Sequence, residues 1–260
     1  MKTQVHSTAQ VSSRAKLAED VEIGPFSLIG PEVEIGPGTR IGPHSVIQGP
    51  TTLGARNHIY GQSSIGTDPQ DLKYRGEASI LRIGDDNRIR EFVTIHRGTE
   101  VAGNETVVGS GNLIMTGVHI AHDCRVGDDN ILANSATLAG HVEVSDGATV
   151  GAFSGVHQFC RVGYRAFIGG YSVITRDALP FIKTVGERGE AKTFGINTIG
   201  LERSDYSSQQ IGALKEAYRL LFRKGLRLSE ALQQLRASSL TDEVEVLLDF
   251  IESSQRGFVH

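Results

Sequence analysis

The stretch "VHIAHDCRVG", residues 118–127, carries His119, His122, Asp123 and Cys124 within six positions. Two further histidines follow downstream, His141 in "LAGHV" and His157 in "VHQFC". Imidazoles in such numbers support two kinds of chemistry. They can hold a zinc ion whose bound water becomes a hydroxide nucleophile. Alternatively, one neutral imidazole can act as a general base on a hydroxyl, with a carboxylate orienting it and backbone N–H groups receiving a developing oxyanion. Asp123 directly follows His122 and is the candidate orienting group. Adjacent residues on a strand point to opposite sides, so that pairing requires a bent backbone. Gly140, with no side chain to keep a reactant away, is the candidate oxyanion donor.

A repeat positions these residues. From Val5, steps of six land on Val11, Leu17, Ile23, Ile29, Ile35, Ile41, Ile47, Leu53, Ile59 and Ile65. The register pauses over 66–82, resumes at Ile83, Ile89 and Ile95, slips by one residue within 97–107, and then runs from Val108 to Ile174. Neither a helix nor an isolated strand has a period of six. One stacked aliphatic per short strand and tight turn does, and about 26 such hexads predict a hexapeptide parallel β-helix. Glycines after many of the aliphatics are expected to relieve the backbone at the turns. The two interruptions are expected to leave the prism as functional loops.

Composition narrows the function classes. The 260 residues carry a net charge of −4, which gives no reason to expect nucleic acid as a partner. No apolar leader opens the chain and no run approaches a membrane span, so a cytoplasmic protein is expected. After Ile174 the rhythm stops, and three amphipathic segments, "SDYSSQQIGALKEAYRLLFRKG", "LSEALQQLRA" and "TDEVEVLLDFIESSQ", predict helices. The expected organisation is a β-helix over 1–190 and a small α-helical domain over 191–260. Residues 161–227 hold 12 Lys and Arg against 6 Asp and Glu, a basic region centred on Arg219, Arg223 and Lys224 that would suit an acidic protein partner.

Similarity to hexapeptide β-helices implies three hexads, or 18 residues, per triangular coil. Counted from Val108 on that basis, His122, His141 and His157 fall at offsets 14, 15 and 13, a column along one edge. Cys124 and Cys160 fall two whole coils apart, about 10 Å, too far for a disulfide, and are expected to be free thiols. Allowing for the one-residue slip, His96 falls at offset 7, on a different face.

Several motifs extend the likeness in order along the chain: "QDLKY" (70–74), "RIRE" and "VTIHRGT" (88–99), "HIAHDC" (119–124), "ILAN" and "ATLAGHV" (131–142) and "VHQFC" (156–160). With them the chain resembles, over nearly its whole length, the bacterial UDP-N-acetylglucosamine O-acyltransferases that begin lipid A synthesis. The related N-acyltransferases carry an additional N-terminal domain, and hexads beginning at residue 5 favour the O-acyl branch. The resemblance implies a left-handed β-helix and transfer of a (3R)-3-hydroxyacyl chain from acyl carrier protein to the glucosamine 3-hydroxyl of UDP-N-acetylglucosamine. It implies no cofactor and no metal. Carried over by position, His122 is the base, Asp123 its partner and Gly140 the oxyanion donor. Asp71, Lys73, His96, His119, His141, His157 and Gln158 line the cleft, Asn197 and Arg203 lie near the uridine and phosphates, and Gly170 is the acyl-chain ruler. A glycine there implies an open groove and a longer hydroxyacyl chain. The family's homotrimers, with clefts between subunits, agree with a His96 on another face. Ile199 and Ser204 depart from the family pattern, which has Glu and Arg at those positions.

Overall fold

In the computed structural model, which describes residues 2–238 and 241–260, the hexads form a left-handed parallel β-helix. Most strands are only two residues long, and typically the first is exposed and the second buried, as at Arg40–Ile41 and Arg125–Val126. The described strands make three faces of eleven, nine and eight strands. Outside the two interruptions each prism strand pairs with the one 18 residues later: Arg40 with His58, Leu113 with Ile131, Thr137 with Gly155. One aliphatic per hexad therefore stacks on the axis. On the nine-stranded face Ile47, Ile65, Ile95, Ile120 and Leu138 are all fully buried.

The two interruptions are resolved by register. His58 pairs with Arg88, thirty residues on, and Arg88 with Leu113, twenty-five on. The excursions therefore add twelve and seven residues to an 18-residue coil. The first leaves between strands Ser64–Thr67 and Ile80–Ile83, the second between Thr94–His96 and Glu105–Val108. The second is a whole hexad plus one rather than a slip of one. This corrects the position of His96. It precedes the excursion, and its neighbour Ile95 pairs with Ile120, so His96 lies on the face that leads into His122. The offset that placed it elsewhere omitted one hexad.

The turns also differ from expectation. Many corners have a positive φ occupied by a non-glycine, including Phe26, Asp123, His141 and Phe159. The glycine after the aliphatic serves close approach instead: a Cβ on Gly42 would sit 2.2 Å from the carbonyl oxygen of Tyr60 in the next coil. A second stabilising feature is a ladder of buried asparagines. Asn57 Oδ1 accepts from the N–H (2.9 Å) and side-chain amide (3.0 Å) of Asn87, and Asn87 Oδ1 accepts likewise from Asn112. These bonds satisfy turn N–H groups that the sheets leave unpaired.

Beyond Ile174 a strand at Ile182–Val185 continues the eleven-stranded face, and Lys192–Ile196 pairs with it antiparallel, a hairpin the hexad count did not anticipate. Helix α1 (Thr198–Glu202) follows, then α2 (Ser208–Phe222), α3 (Leu228–Arg236) and α4 (Asp242–Glu252). Ser207 and Gln210 form a capping box at the start of α2. The prism core ends at Ala178 and a separate cluster begins at Leu179, ahead of residue 191. Arg161 joins the two: it pairs with the buried Asp177 at 3.1 Å and donates to the Phe250 carbonyl in α4 at 3.2 Å. No helix among the described residues is long and apolar enough to cross a membrane.

Candidate active site

The strand His119–Ile120 ends at the corner between the nine- and eight-stranded faces, and the chain turns through Asp123 at φ 61°. That left-handed residue is the bend the adjacent pair requires. His122 Nδ1 lies 2.7 Å from Asp123 Oδ2. Asp123 Oδ1 accepts from the Thr99 N–H and Oδ2 from the Thr99 hydroxyl, both at 2.6 Å, while the Asp123 N–H donates to Thr106 Oγ1 at 2.8 Å. Burial of Asp123 works against its charge. The hydrogen bonds from His122 and Thr99, with the nearby His141, outweigh that penalty and hold the carboxyl below its ordinary value. Asp123 is therefore an anion that fixes the imidazole with Nδ1 as donor, leaving Nε2 as the basic nitrogen.

One coil on, Gly140 faces the ring. A Cβ there would lie 2.6 Å from His122 Cε1 and 2.8 Å from Nε2, so the imidazole occupies the space a side chain would need. The Gly140 N–H has no hydrogen-bond partner among the described residues. His141, at the next left-handed corner, meets His122 edge to face at 5.2 Å and stacks on Phe159 at 4.4 Å. Its Nε2 is 3.6 Å from Asp123 Oδ2. A cavity of about 760 Å³ opens beside Asp123, His141 and Phe159, with Arg125, Arg161 and Arg256 on its wall.

Of the predicted column of three histidines, the rings of His122 and His141 meet each other. His157 is half-buried, and its ring contacts the Gln158 carbonyl at 3.2 Å rather than His141; Phe159 takes the stacking place, and Gln158 is exposed. Two other histidines adjoin the pair on the same chain. His119 Nδ1 is 2.7 Å from Thr94 Oγ1, and its ring meets His96 at 5.0 Å. Burial, then the neighbouring His119 and His122, push His96 down to about 4, and burial lowers His119 as well. Burial also lowers His141, with Asp71 raising and Lys73 lowering it, which brings the first excursion loop within electrostatic reach. That loop is held by Arg97, which donates to the Gly66 carbonyl, pairs with Asp68 and reaches the Tyr74 hydroxyl at 3.2 Å.

Thr99, Thr106 and Arg97 were not singled out from the sequence. The fragment "HRGT" contained two of them, but only the register of the second excursion places Thr99 over Asp123. Three predicted residues lie elsewhere on the chain. Gly170 is exposed at the corner between the eleven- and nine-stranded faces. Asn197 and Arg203 line a separate cavity of about 390 Å³. Asn197 caps α1 through Gly200 N at 3.3 Å. Both cysteines are free, and burial pushes Cys124 up to about 12 and Cys160 up to about 11, as inert thiols.

His122, Asp123 and His141 also offer nitrogen and oxygen atoms that all lie within 4.8 Å of one another, close enough to surround a cation. Those atoms are engaged otherwise: both Asp123 oxygens accept hydrogen bonds, and His122 Nδ1 is one of the donors.

His96 makes the protein sensitive to acid. Its folded pKa is depressed, so the neutral ring contributes stability above the ordinary value near 6.5, and that contribution is lost as pH falls through this window toward 4. A loss of roughly 1–2 kcal/mol by pH 4, the full shift discounted for screening, is expected. Melting curves of the wild type and of His96→Phe across pH 7 to 4 test it. The wild type should lose more stability than the variant, and parallel profiles would refute the assignment.

Comparisons with known proteins identify the family. The sequence profile of UDP-N-acetylglucosamine O-acyltransferase domain 2 matches residues 177–259, and that of bacterial transferase hexapeptide repeats matches 14–49 and 105–140. The chain is 55% identical over 258 residues to acyl-(acyl-carrier-protein)–UDP-N-acetylglucosamine O-acyltransferase of Alkalilimnicola ehrlichii, with 99% of each chain covered. The crystal structure of LpxA from Acinetobacter baumannii superposes with a TM-score of 0.94 at 44% identity, covering 98% of this chain and 99% of that one. The UDP-N-acetylglucosamine acyltransferase of Francisella novicida matches with a TM-score of 0.94 at 40% identity, covering 98% and 94%. The chain belongs to the UDP-N-acetylglucosamine O-acyltransferase family of hexapeptide-repeat acyltransferases.

Proposed function

We propose that the protein transfers a (3R)-3-hydroxyacyl group from the thioester of acyl carrier protein to the 3-hydroxyl of UDP-N-acetylglucosamine, the opening step of lipid A synthesis. The observation that carries this reading is the His122–Asp123 pair, held by Thr99 and facing the bare backbone of Gly140. His122 Nε2 takes the proton of the sugar hydroxyl as its oxygen attacks the thioester carbonyl. The Gly140 N–H receives the negative charge that develops on the carbonyl oxygen. Collapse breaks the C–S bond, and the proton on Nε2 passes to the departing thiolate, so that an ester and a free carrier thiol result. Asp123 stays ionised and stabilises the imidazolium between the two transfers.

The step uses no metal and no cofactor, because the base is generated by the carboxylate–imidazole pair itself. Asp71, Lys73, His96, His119, His141, His157 and Gln158 hold the sugar and the acyl chain. Asn197 and Arg203 take the nucleotide, and the exposed Gly170 stands at the far end of an acyl groove that its missing side chain leaves open to a longer chain. Gly170 stands at another corner of the prism from His122, and Asn197 and Arg203 lie beyond the hairpin, which fits a homotrimer whose clefts are completed by a second copy. The basic region around Arg219, Arg223 and Lys224 docks the acidic carrier protein, and the enzyme works in the cytoplasm. Mass spectrometry of products from the purified chain, UDP-N-acetylglucosamine and a mixture of 3-hydroxyacyl carrier proteins tests the proposal. A single O-acylated UDP-sugar supports it and reads out the chain length. No product with this sugar, but product with its 3-amino analogue, would overturn the choice of acceptor.

A further inference from the structure

The second cavity, about 390 Å³, lies where the prism meets the segment after the hairpin. Its lining carries three cations, Arg165, Lys183 and Arg203, against one carboxylate, Asp129, among the described residues. Phe167 and Ile199 supply apolar walls, and Ile199 is 65% exposed. Neither composition nor family likeness had singled out Arg165.

Its setting is distinctive. Arg165 occupies a left-handed corner at φ 51°, which aims the side chain off the prism. The guanidinium lies between two tyrosines, 5.4 Å from the ring centre of Tyr164 and 5.5 Å from that of Tyr206. Nε donates to the Tyr164 hydroxyl at 3.3 Å and Nη1 to Ser204 Oγ at 2.5 Å. The Arg165 carbonyl accepts from Asn197 Nδ2 at 3.3 Å, which ties the corner to a cavity-lining amide. No carboxylate forms an ion pair with Arg165 among the described residues. The result is a partly buried cation, already immobilised and bonded only to neutral hydroxyls. A guanidinium carries more N–H donors than these hydroxyls can take, in a plane that matches a phosphate. Because the fold has already ordered this side chain, an incoming anion would not have to.

We propose that Arg165 is a substrate-binding residue that grips the diphosphate of the sugar nucleotide together with Lys183 and Arg203, and that Ser204 keeps it aimed. This rests on the acyltransferase reading above and adds to it a residue and its partner. The uracil or ribose would then lie against Phe167 and Ile199, with the Asn197 amide beside it.

Steady-state kinetics and equilibrium binding of UDP-N-acetylglucosamine test the proposal on the full chain. Arg165→Ala should raise KM and Kd for the sugar nucleotide about tenfold or more, leave kcat within about twofold, and leave KM for the acyl carrier protein unchanged. Arg165→Lys, which keeps the charge without the fork, should fall between. The double variant Arg165→Ala with Ser204→Arg returns a guanidinium from the adjacent position and should recover most of the lost affinity. An unchanged KM for the sugar nucleotide in Arg165→Ala overturns the proposal, as does a double variant no better than the single. If Arg165→Ala does not fold, an unchanged KM in Arg165→Lys overturns it equally. A wild-type chain that neither binds nor acylates UDP-N-acetylglucosamine overturns the acyltransferase reading itself, a result distinct from any variant outcome.

Discussion

His122→Ala is expected to lower kcat by about a thousandfold or more, the upper part of the range for removing a general base, with the fold retained. The base is the one group that must gain a proton as the sugar oxygen attacks and lose it as the thiolate leaves. No nearby group can take over. His141 and His119 are lowered by burial, and His96 is pushed down to about 4, which makes each a weak proton acceptor. His141 also stacks face to face on Phe159, which fixes its ring away from the position His122 holds. The fold should tolerate the change, because His122 stands at a corner and the axial stack runs through Ile120 and Val126. Rapid-mixing or steady-state kinetics with a melting curve for the same preparation is the check. A variant with more than a tenth of the wild-type rate would remove His122 from the role.

Gly140→Ala is expected to cost about a hundredfold in kcat, comparable to losing one oxyanion donor, with KM for both substrates little changed. The added methyl would stand 2.6 Å from His122 Cε1. The ring cannot give way freely, because its other edge is bound to Asp123, and that carboxylate is held by the N–H and hydroxyl of Thr99. A small rotation would break the Nδ1 contact that leaves Nε2 basic. The same methyl would also cover the N–H assigned to the oxyanion. A drop in rate with a normal melting temperature fits this account. A normal rate would show that neither the ring position nor the N–H matters at this level.

Much of this was legible in advance because a hexad period has few structural solutions. Each aliphatic from Ile23 to Ile174 had to point at one axis, and once a coil of 18 residues was assumed, Gly140 fell opposite His122. The adjacent His122 and Asp123 could meet only at a corner, and Asp123 indeed has a left-handed backbone. The errors came where the period was interrupted. Seven added residues differ from one by a full hexad, which leaves the aliphatic phase unchanged, so hydrophobic periodicity could not tell them apart. The face of His96 and the approach of Thr99 to Asp123 both depended on that difference. Arg165 was invisible for another reason: what makes it notable is the contact with Ser204, 39 residues away, which no local pattern encodes. The hairpin Ile182–Ile196 was missed because it leaves the six-residue rhythm as an antiparallel pair.

The central claim is that His122 works as a base beside Asp123 and not as a ligand of a catalytic metal, although His122, Asp123 and His141 lie close enough to surround one. The most direct measurement is kcat of the purified enzyme after exhaustive chelation, with its metal content determined, and again after titration with zinc. The account predicts a full rate with no bound metal, and either no change or inhibition as zinc displaces the proton on His122. A rate that disappears with chelation and returns in proportion to one zinc per active site would contradict it.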